Sequence, residues 1–198
     1  MDAMAGTDPT PHVSAQWQKS AARVVFGVIW GVDAALKWTP GFRQEYLDMV
    51  QGAAKGQAAW LQPWFHLWVW LISPRVGFFA YSTAVIETVI ALALILGFAR
   101  KSAYWLTAIF GLLIWSTAEG FGGPYTAGSM DVGTGIIYTM AAIFLLAINA
   151  SVGTSRYSVD AWLERRIPWW PVVAEVGGSR REPEAPAPLP VGKAPAAL

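Results

Sequence analysis

The sequence predicts an all-α, polytopic membrane protein: a four-helix transmembrane bundle with interfacial amphipathic helices. Of the 198 residues, 55% are hydrophobic and only 14% are charged, which is too apolar for an ordinary soluble domain. Four segments also approach the length of about twenty apolar residues that a membrane-spanning helix needs. The twelve tryptophans fit this environment, because indole rings favour the headgroup region of a bilayer. We therefore expect membrane lipids to surround the chain.

The predicted spans are residues 20–38, 76–98, 103–118 and 131–150. Arg100 and Lys101 make a short turn between the second and third spans, so these two helices should pack antiparallel in a bundle. The loop from residue 119 to 131 has no basic residue, whereas basic residues flank the opposite ends of the spans. This distribution predicts a multi-pass protein of the inner (plasma) membrane with both termini in the cytoplasm.

The segments at the two termini are predicted to lie outside the bundle. Residues 1–19 form a polar leader that does not have the pattern of a cleaved signal peptide, so the first span should serve as a signal anchor. Residues 151–171 should form a cytoplasmic interfacial helix that groups Trp162 and Leu163 on an apolar face, opposite Asp160 and Glu164. Residues 172–198 are rich in proline and alanine and should be a disordered tail.

Between the first two spans, residues 39–75 should form an outer interfacial segment. An amphipathic helix is expected near its start and should lie on the outer leaflet; its apolar face consists of Phe42, Tyr46, Met49, Val50 and Ala53. The following stretch, "LQPWFHLWVWLIS", is too short to span and is predicted to be half-inserted or interfacial.

The composition excludes several kinds of chemistry. The chain has no cysteine, which excludes disulfides, iron–sulfur clusters and thiolate metal sites. Its two histidines, His12 and His66, are isolated from each other, so we expect no haem, no metal site and no intrinsic redox cofactor. A net charge of +1 offers no field for nucleic acid, and no nucleic-acid partner is expected.

Glu87 interrupts the second span near its middle. An ionised carboxylate there would cost at least about 2.5–3.5 kcal/mol. We expect the group to be protonated, or paired with a ligand or with Arg23, which lies toward the cytoplasmic end. Two roles remain open: Glu87 holds helices together through a hydrogen bond, or it binds a polar headgroup or moves a proton.

Four further charged residues are predicted to meet at the outer mouth of the bundle. Asp33 and Lys37 lie four residues apart on one face of the first span, while Glu119 and Asp131 flank the last loop. A structural interpretation is also open for each pair: Asp33 and Lys37 can form a simple ion pair, and Asp131 suits a helix N-terminus. The small residues Gly128, Gly133 and Gly135 should allow the fourth span to approach its neighbours closely.

Residues 20–150 resemble the DoxX/DoxD group of small membrane proteins, and most closely the DoxD-type small subunit of thiosulfate:quinone oxidoreductase. The resemblance lies in "RVVFGVIWGVDAALKWTPGF", "TAVIETVIALALILGFARKSAYWLTAIFGLLIW" and "GFGGPYTAGSMDVGTGIIYTMAAIFLL". The matching positions are Arg23 and Lys37 at the ends of the first helix, Glu87 before "LILGFARK", and the Gly-rich stretch from Pro124 to Tyr138. The resemblance implies a four-helix membrane fold and, for the DoxD branch, a heteromeric enzyme that passes electrons from thiosulfate to quinone.

The leading hypothesis is therefore the membrane subunit of a quinone-linked oxidoreductase that works with a second protein subunit. Glu87 would be its catalytic residue, hydrogen-bonding a quinone carbonyl or relaying a proton. The remaining predicted substrate-binding residues are those of the apolar pocket, the outer mouth and the first helix: Trp30, Trp115, Tyr138, Asp33, Lys37, Glu119, Asp131 and Arg23. A non-catalytic anchor or assembly subunit of a redox or stress-response complex is the alternative, and a carrier of a small lipid-like molecule is the third hypothesis.

Overall fold

The computed structural model describes residues 11–126, 131–152 and 157–176, and all regular structure in this part of the chain is helical. The prediction of an all-α fold is confirmed. Residues 1–10 of the predicted leader and residues 177–198 of the predicted tail lie outside the described ranges. The helices are α1 (Pro11–Lys37), α2 (Pro40–Ala53), α3 (Gln62–Ile72), α4 (Val76–Leu96), α5 (Arg100–Ser116), α6 (Thr134–Val152), α7 (Val159–Leu163) and α8 (Pro171–Ala174).

A helix occupies each of the four predicted spans, with shifted ends. The largest shift is in α1, which begins at Pro11 and so takes in part of the predicted polar leader. Two helical runs among the described residues are long and apolar enough to cross a membrane: Ala59–Leu96, which joins α3 to α4, and Thr134–Ser151 in α6. The other two helices are poorer candidates, because α1 contains four charged residues and α5 has only 17 residues.

Close packing joins α1 to α4 more extensively than any other two elements in the described part of the chain. Gly27 of α1 makes this possible: a Cβ atom added there would lie 2.9 Å from the backbone nitrogen of Ile95 and 2.9 Å from Cβ of Leu94. One turn later Gly31 is less crowded, since its added Cβ would lie 3.8 Å from Cβ of Ala91. The absence of a side chain at Gly27 therefore sets the distance between the two helices.

A second close pair is formed by α5 and α6. An added Cβ on Gly135 would lie 2.6 Å from the carbonyl oxygen of Gly111, and one on Gly111 would lie 2.7 Å from Oγ1 of Thr139. Thr139 strengthens the contact by donating a hydrogen bond to the carbonyl of Ala108 at 3.2 Å. The expectation that Gly135 lets this helix approach a neighbour closely is confirmed.

By contrast, α4 and α5 touch each other much less, although a short turn connects them. The turn contains Gly97, which ends α4 in the left-handed conformation at a φ of 66°. The expected contact between these two helices is therefore a minor one, because the glycine contacts pack α4 against α1 and α5 against α6. We call the end of the bundle with Leu96 and Arg100 the turn end, and the end with Lys37 and Val76 the α2 end.

At the α2 end, α2 packs against both α3 and α4. The Thr39 side chain caps the start of α2 by accepting from the Phe42 amide at 3.5 Å, and Pro40 occupies its first turn. Val50 of α2 and Ile72 of α3 are each only 2% exposed. The apolar face of α2 thus contacts protein, whereas the sequence pattern predicted contact with the outer leaflet.

The turn end is closed by residues 157–176, which fold back onto the start of α5. Asp160 is fully buried and accepts hydrogen bonds from the Arg100 side chain at 2.8 Å and from the Ala99 amide at 2.7 Å. The Trp170 indole donates to the same carboxylate at 2.8 Å. The prediction that Asp160 lies on a water-facing surface is wrong, because its carboxylate pairs with the buried guanidinium of Arg100.

Two more carboxylates bind the same arginine. Glu164 accepts from Nη2 of Arg100 at 3.2 Å, and Glu175 accepts from the same nitrogen. Residues 172–176 were predicted to belong to the disordered tail, but Pro171–Ala174 forms α8 and Glu175 is only 5% exposed. The ion cluster with Arg100 and hydrogen bonds from the bundle to the carbonyls of residues 172–174 hold this end of the segment in place.

Replacing Gly27 with alanine should destabilise the fold, whereas the same change at Gly31 should not. Gly27→Ala places a methyl group against the backbone of α4, and forcing the helices apart should cost about 1–3 kcal/mol. Gly31→Ala meets only ordinary contact and gains up to about 1 kcal/mol of helix propensity. Free energies of unfolding in detergent measure the difference, and equal values for the two variants would contradict the packing described.

Asp160→Asn should release residues 157–176 from the turn end. The change leaves Arg100 buried with one carboxylate fewer, which should cost about 3 kcal/mol or more. Limited trypsin digestion should then cut after Arg165 or Arg166 faster than in the natural protein. Asp48→Asn, at an exposed position of α2, is the matched control. Equal cleavage rates in the two variants would show that Asp160 does not hold the segment.

Candidate functional site

A cavity of about 500 Å³ lies between α2, α3, α4 and α5, where α4 and α5 diverge. This volume is in the range of sites that hold small organic ligands. The lining is mainly apolar and rich in aromatic rings: Phe42, Tyr46, Trp68, Phe78, Phe79 and Phe110. The cavity can therefore bind an apolar molecule that carries a ring.

Glu87 of α4 is the principal polar group of this cavity. Its side chain is fully buried, and neither carboxyl oxygen has a hydrogen-bond partner in the described part of the chain. An unpartnered buried polar group costs roughly 1–3 kcal/mol even on scales derived from protein mutations. The side chain thus presents a hydrogen-bonding group with unused capacity to the cavity.

A second group with unused capacity lies across the cavity on α3. The indole nitrogen of Trp68 is buried and donates to no acceptor within the described ranges. An indole nitrogen can only donate, whereas a carboxyl group can accept or, when protonated, also donate. Together Glu87 and Trp68 suit a ligand whose polar atoms include hydrogen-bond acceptors.

Tyr46 connects α2 to α4 at the wall of the cavity. Its hydroxyl lies 3.1 Å from Oγ1 of Thr83, and both residues line the cavity. Burial raises the pKa of Tyr46 above its ordinary value, so the phenol stays neutral and able to exchange hydrogen bonds. Nearby, the Trp38 indole, in the connection between α1 and α2, donates to Oγ1 of Thr88 of α4 at 3.1 Å.

The predicted cluster at the mouth of the bundle is only partly assembled. Lys37 donates to Asp33 at 3.0 Å in the i,i+4 arrangement, and Lys37 lines the cavity. Glu119 also lines the cavity, but one of its oxygens accepts from the Gly135 amide at 2.8 Å. Asp131 accepts from the Gly133 amide at 2.8 Å and does not line the cavity. Glu119 and Asp131 therefore bind backbone amides at the start of α6, as the structural interpretation requires.

Arg23 lies at the turn end and does not pair with Glu87. Its guanidinium donates to the carbonyl of Leu94, to that of Ile95 at 3.0 Å and to that of Tyr157 at 2.9 Å. Two of these acceptors lie in the last turn of α4, where carbonyl groups have no partner within the helix. The position of Arg23 suits a helix cap, so its predicted role in substrate binding has no support from its contacts.

The three aromatic residues predicted to form a pocket lie elsewhere. Trp30 is fully buried in the core, with its ring centroid 5.1 Å from that of Tyr138. Trp115 packs against Phe121 at a ring distance of 5.2 Å and donates to the carbonyl of Val132. None of the three lines the cavity beside Glu87.

Sequence reasoning did not identify the part of the site that α2 and α3 supply. The signal for Tyr46 was present, since it stands on the apolar face of α2, but that face was assigned to lipid. Trp68 stands in a run of aromatic residues that is equally typical of an interfacial helix. Nothing in either pattern specifies that the two helices pack over Glu87.

Within the described ranges, no group of three or more His, Asp or Glu side chains is placed to hold a metal ion.

No protein-family model, curated protein or solved structure matches the chain. The arrangement of its own side chains is therefore the basis for any functional proposal.

The bond between Tyr46 and Thr83 should contribute measurably to holding α2 over the cavity. Tyr46→Phe and Thr83→Val should each lower the free energy of unfolding by about 1 kcal/mol, the usual net value of such a bond. Because both changes remove the same interaction, the double variant should lose little more than either single one. Losses that simply add in the double variant would show that the two side chains act independently.

Proposed function

We propose that the chain is a multi-pass protein of the inner membrane with spans at 20–38, 76–98, 103–118 and 131–150 and both termini in the cytoplasm. The two long apolar helical runs support membrane association. For α1, further support comes from a row of apolar side chains that are more than half exposed: Val25, Val28, Val32 and Leu36. Lipid chains would cover such a row, which a water-soluble monomer would leave exposed.

We further propose that the protein is a DoxX/DoxD-like membrane subunit of a quinone-linked oxidoreductase, of the thiosulfate:quinone type. The observation that carries this proposal is the unpartnered carboxyl group of Glu87 in an aromatic cavity. A quinone has an apolar ring and carbonyl oxygens that accept hydrogen bonds. The cavity offers aromatic walls for the ring, and Glu87 and the Trp68 indole as donors for the carbonyls.

The role of Glu87 follows from its surroundings. In the apolar surroundings of the cavity, the protonated carboxyl group avoids the cost of a buried charge and can donate to a quinone carbonyl. When the quinone is reduced it takes up protons as well as electrons, and Glu87 is placed to supply one. The electrons would come from a soluble partner subunit, whose substrate on this proposal is thiosulfate.

Access to the cavity would be from the α2 end. Lys37 and Glu119 line this region, and the Asp33–Lys37 pair is partly exposed, with side-chain exposures of 29% and 22%. In the proposed topology this end faces the outer leaflet. Reprotonation of Glu87 would then occur from that side of the membrane.

The test is quinone-linked turnover of the complex reconstituted with its partner subunit. Glu87→Gln keeps the shape and hydrogen-bonding capacity of the side chain but removes the titrating proton, so it should fold normally and lose at least about ten-fold in turnover. Glu45→Gln, at an exposed position of α2, makes the same chemical change as a control and should retain normal turnover. Glu87→Leu should also weaken assembly, since it removes the polar group altogether.

If Glu87→Gln keeps normal turnover over the whole pH range, the proton-transfer role is refuted. A structural role for Glu87 and a non-catalytic anchor subunit would then be the better account. A binding assay then distinguishes a chain that still binds quinone from one that does not. A short-chain quinone is added to the purified chain, and its binding is measured by the quenching of tryptophan fluorescence. A chain that binds no quinone would refute the proposed ligand as well.

A further inference from the structure

In the segment from residue 157 to 176, acidic and basic side chains lie on opposite sides, a separation that is not evident from the sequence. It contains three acidic residues, Asp160, Glu164 and Glu175, and two basic ones, Arg165 and Arg166. All three carboxylates bind Arg100, and their side chains are 0%, 15% and 6% exposed, respectively. The acidic charge of the segment is therefore turned toward the bundle.

The two arginines of this segment face away from the bundle. Arg165 and Arg166 are both exposed, and Arg165 donates its Nε–H to the carbonyl of Ala161 in its own helical turn at 2.9 Å. The guanidinium of Arg166 lies over the Trp162 ring, 4.1 Å from its centroid. In the described part of the chain, neither arginine forms a salt bridge. The outward surface of a segment with an acidic excess is thus basic.

Large apolar side chains accompany the arginines on this surface. Trp162, Trp169 and Val172 are 49%, 59% and 67% exposed. The two adjacent tryptophans 169 and 170 point in different directions: Trp170 donates to the buried Asp160, while Trp169 remains outside. We call the surface formed by Trp162, Arg165, Arg166, Trp169 and Val172 the basic-aromatic face.

We propose that the basic-aromatic face binds the anionic phospholipid headgroups of the leaflet at the turn end of the bundle. Exposed tryptophans beside arginines are the composition of a surface that lies at the boundary between headgroups and acyl chains. Arg165 and Arg166 bind lipid phosphates, and the indole rings enter the headgroup layer. This inference rests on the membrane placement in the proposed function, and the proposed topology makes this leaflet the cytoplasmic one.

The experiment measures lipid binding to the full-length chain in a mixture of phosphatidylglycerol and phosphatidylcholine. The purified protein is equilibrated with equal amounts of both lipids, and the bound lipids are counted by native mass spectrometry. The natural protein should bind phosphatidylglycerol preferentially, and Arg165→Gln/Arg166→Gln should lower this preference by at least about five-fold, the contribution of one basic residue near an anionic surface. Lys55→Gln/Arg75→Gln removes the same charge from exposed positions away from the face and should leave the preference unchanged.

Three results would overturn the proposal. These are equal binding of the two lipids by the natural protein, loss of the preference in the control variant, and a preference that survives the double arginine change. If the natural protein binds the two lipids equally, an acidic partner protein becomes the better candidate for binding to this face. Insertion into vesicles is measured separately by flotation, so failure of membrane placement is distinguishable from failure of lipid recognition. As a second readout, raised salt should weaken the preference of the natural protein and leave that of the arginine variant little changed.

Discussion

The close packing of α1 against α4 at Gly27 determines how the rest of the bundle is arranged. With a Cβ position 2.9 Å from the α4 backbone, no other residue fits there without moving the helices apart. A similar contact between Gly111 and Gly135 joins α5 to α6. Because each of α4 and α5 is committed to another partner, the two diverge from their common turn. The space that they leave is partly filled by α2 and α3, and the remainder is the cavity beside Glu87.

Buried ionisable side chains at the two ends of the molecule differ in how many hydrogen-bond partners they have. At the turn end, three carboxylates bind Nε and Nη2 of Arg100, and backbone carbonyls bind Arg23, so each guanidinium has several partners. Nη1 of Arg100 has no hydrogen-bond partner among the described residues. Near the α2 end, Glu87 is equally buried, yet its carboxyl oxygens have no partner in the described part of the chain. A fold that satisfies several charges at one end and leaves one carboxyl group open in a cavity is consistent with a structural end and a ligand-binding end.

The helical fold could be predicted from the sequence because apolar length and tight-turn residues are local signals. The pairing of Asp33 with Lys37 could be predicted for the same reason, since both residues lie on one helix. The partners of Arg23 could not be predicted, because backbone carbonyls at a helix end have no signature in the sequence. Nor could the burial of Asp160: its helix is amphipathic, but the choice of which face turns inward depends on Arg100, some sixty residues earlier. The cavity depends on three helix packings that the sequence does not specify: α1 with α4, α5 with α6, and α2 with α3 and α4. Of the residues that line it, only Glu87 could be recognised from the sequence, because a carboxyl group is unusual within an apolar span.

We propose that the free carboxyl group of Glu87 is the hydrogen-bonding group for a quinone in the cavity. Infrared difference spectroscopy between quinone-free and quinone-loaded protein tests this claim most directly, because it observes the carboxyl group itself. The C=O stretch of a protonated carboxylic acid should move to lower frequency when quinone binds, and this band should be missing in Glu87→Gln. A spectrum in which quinone binds without changing any carboxyl band, or in which the band persists in Glu87→Gln, would contradict it.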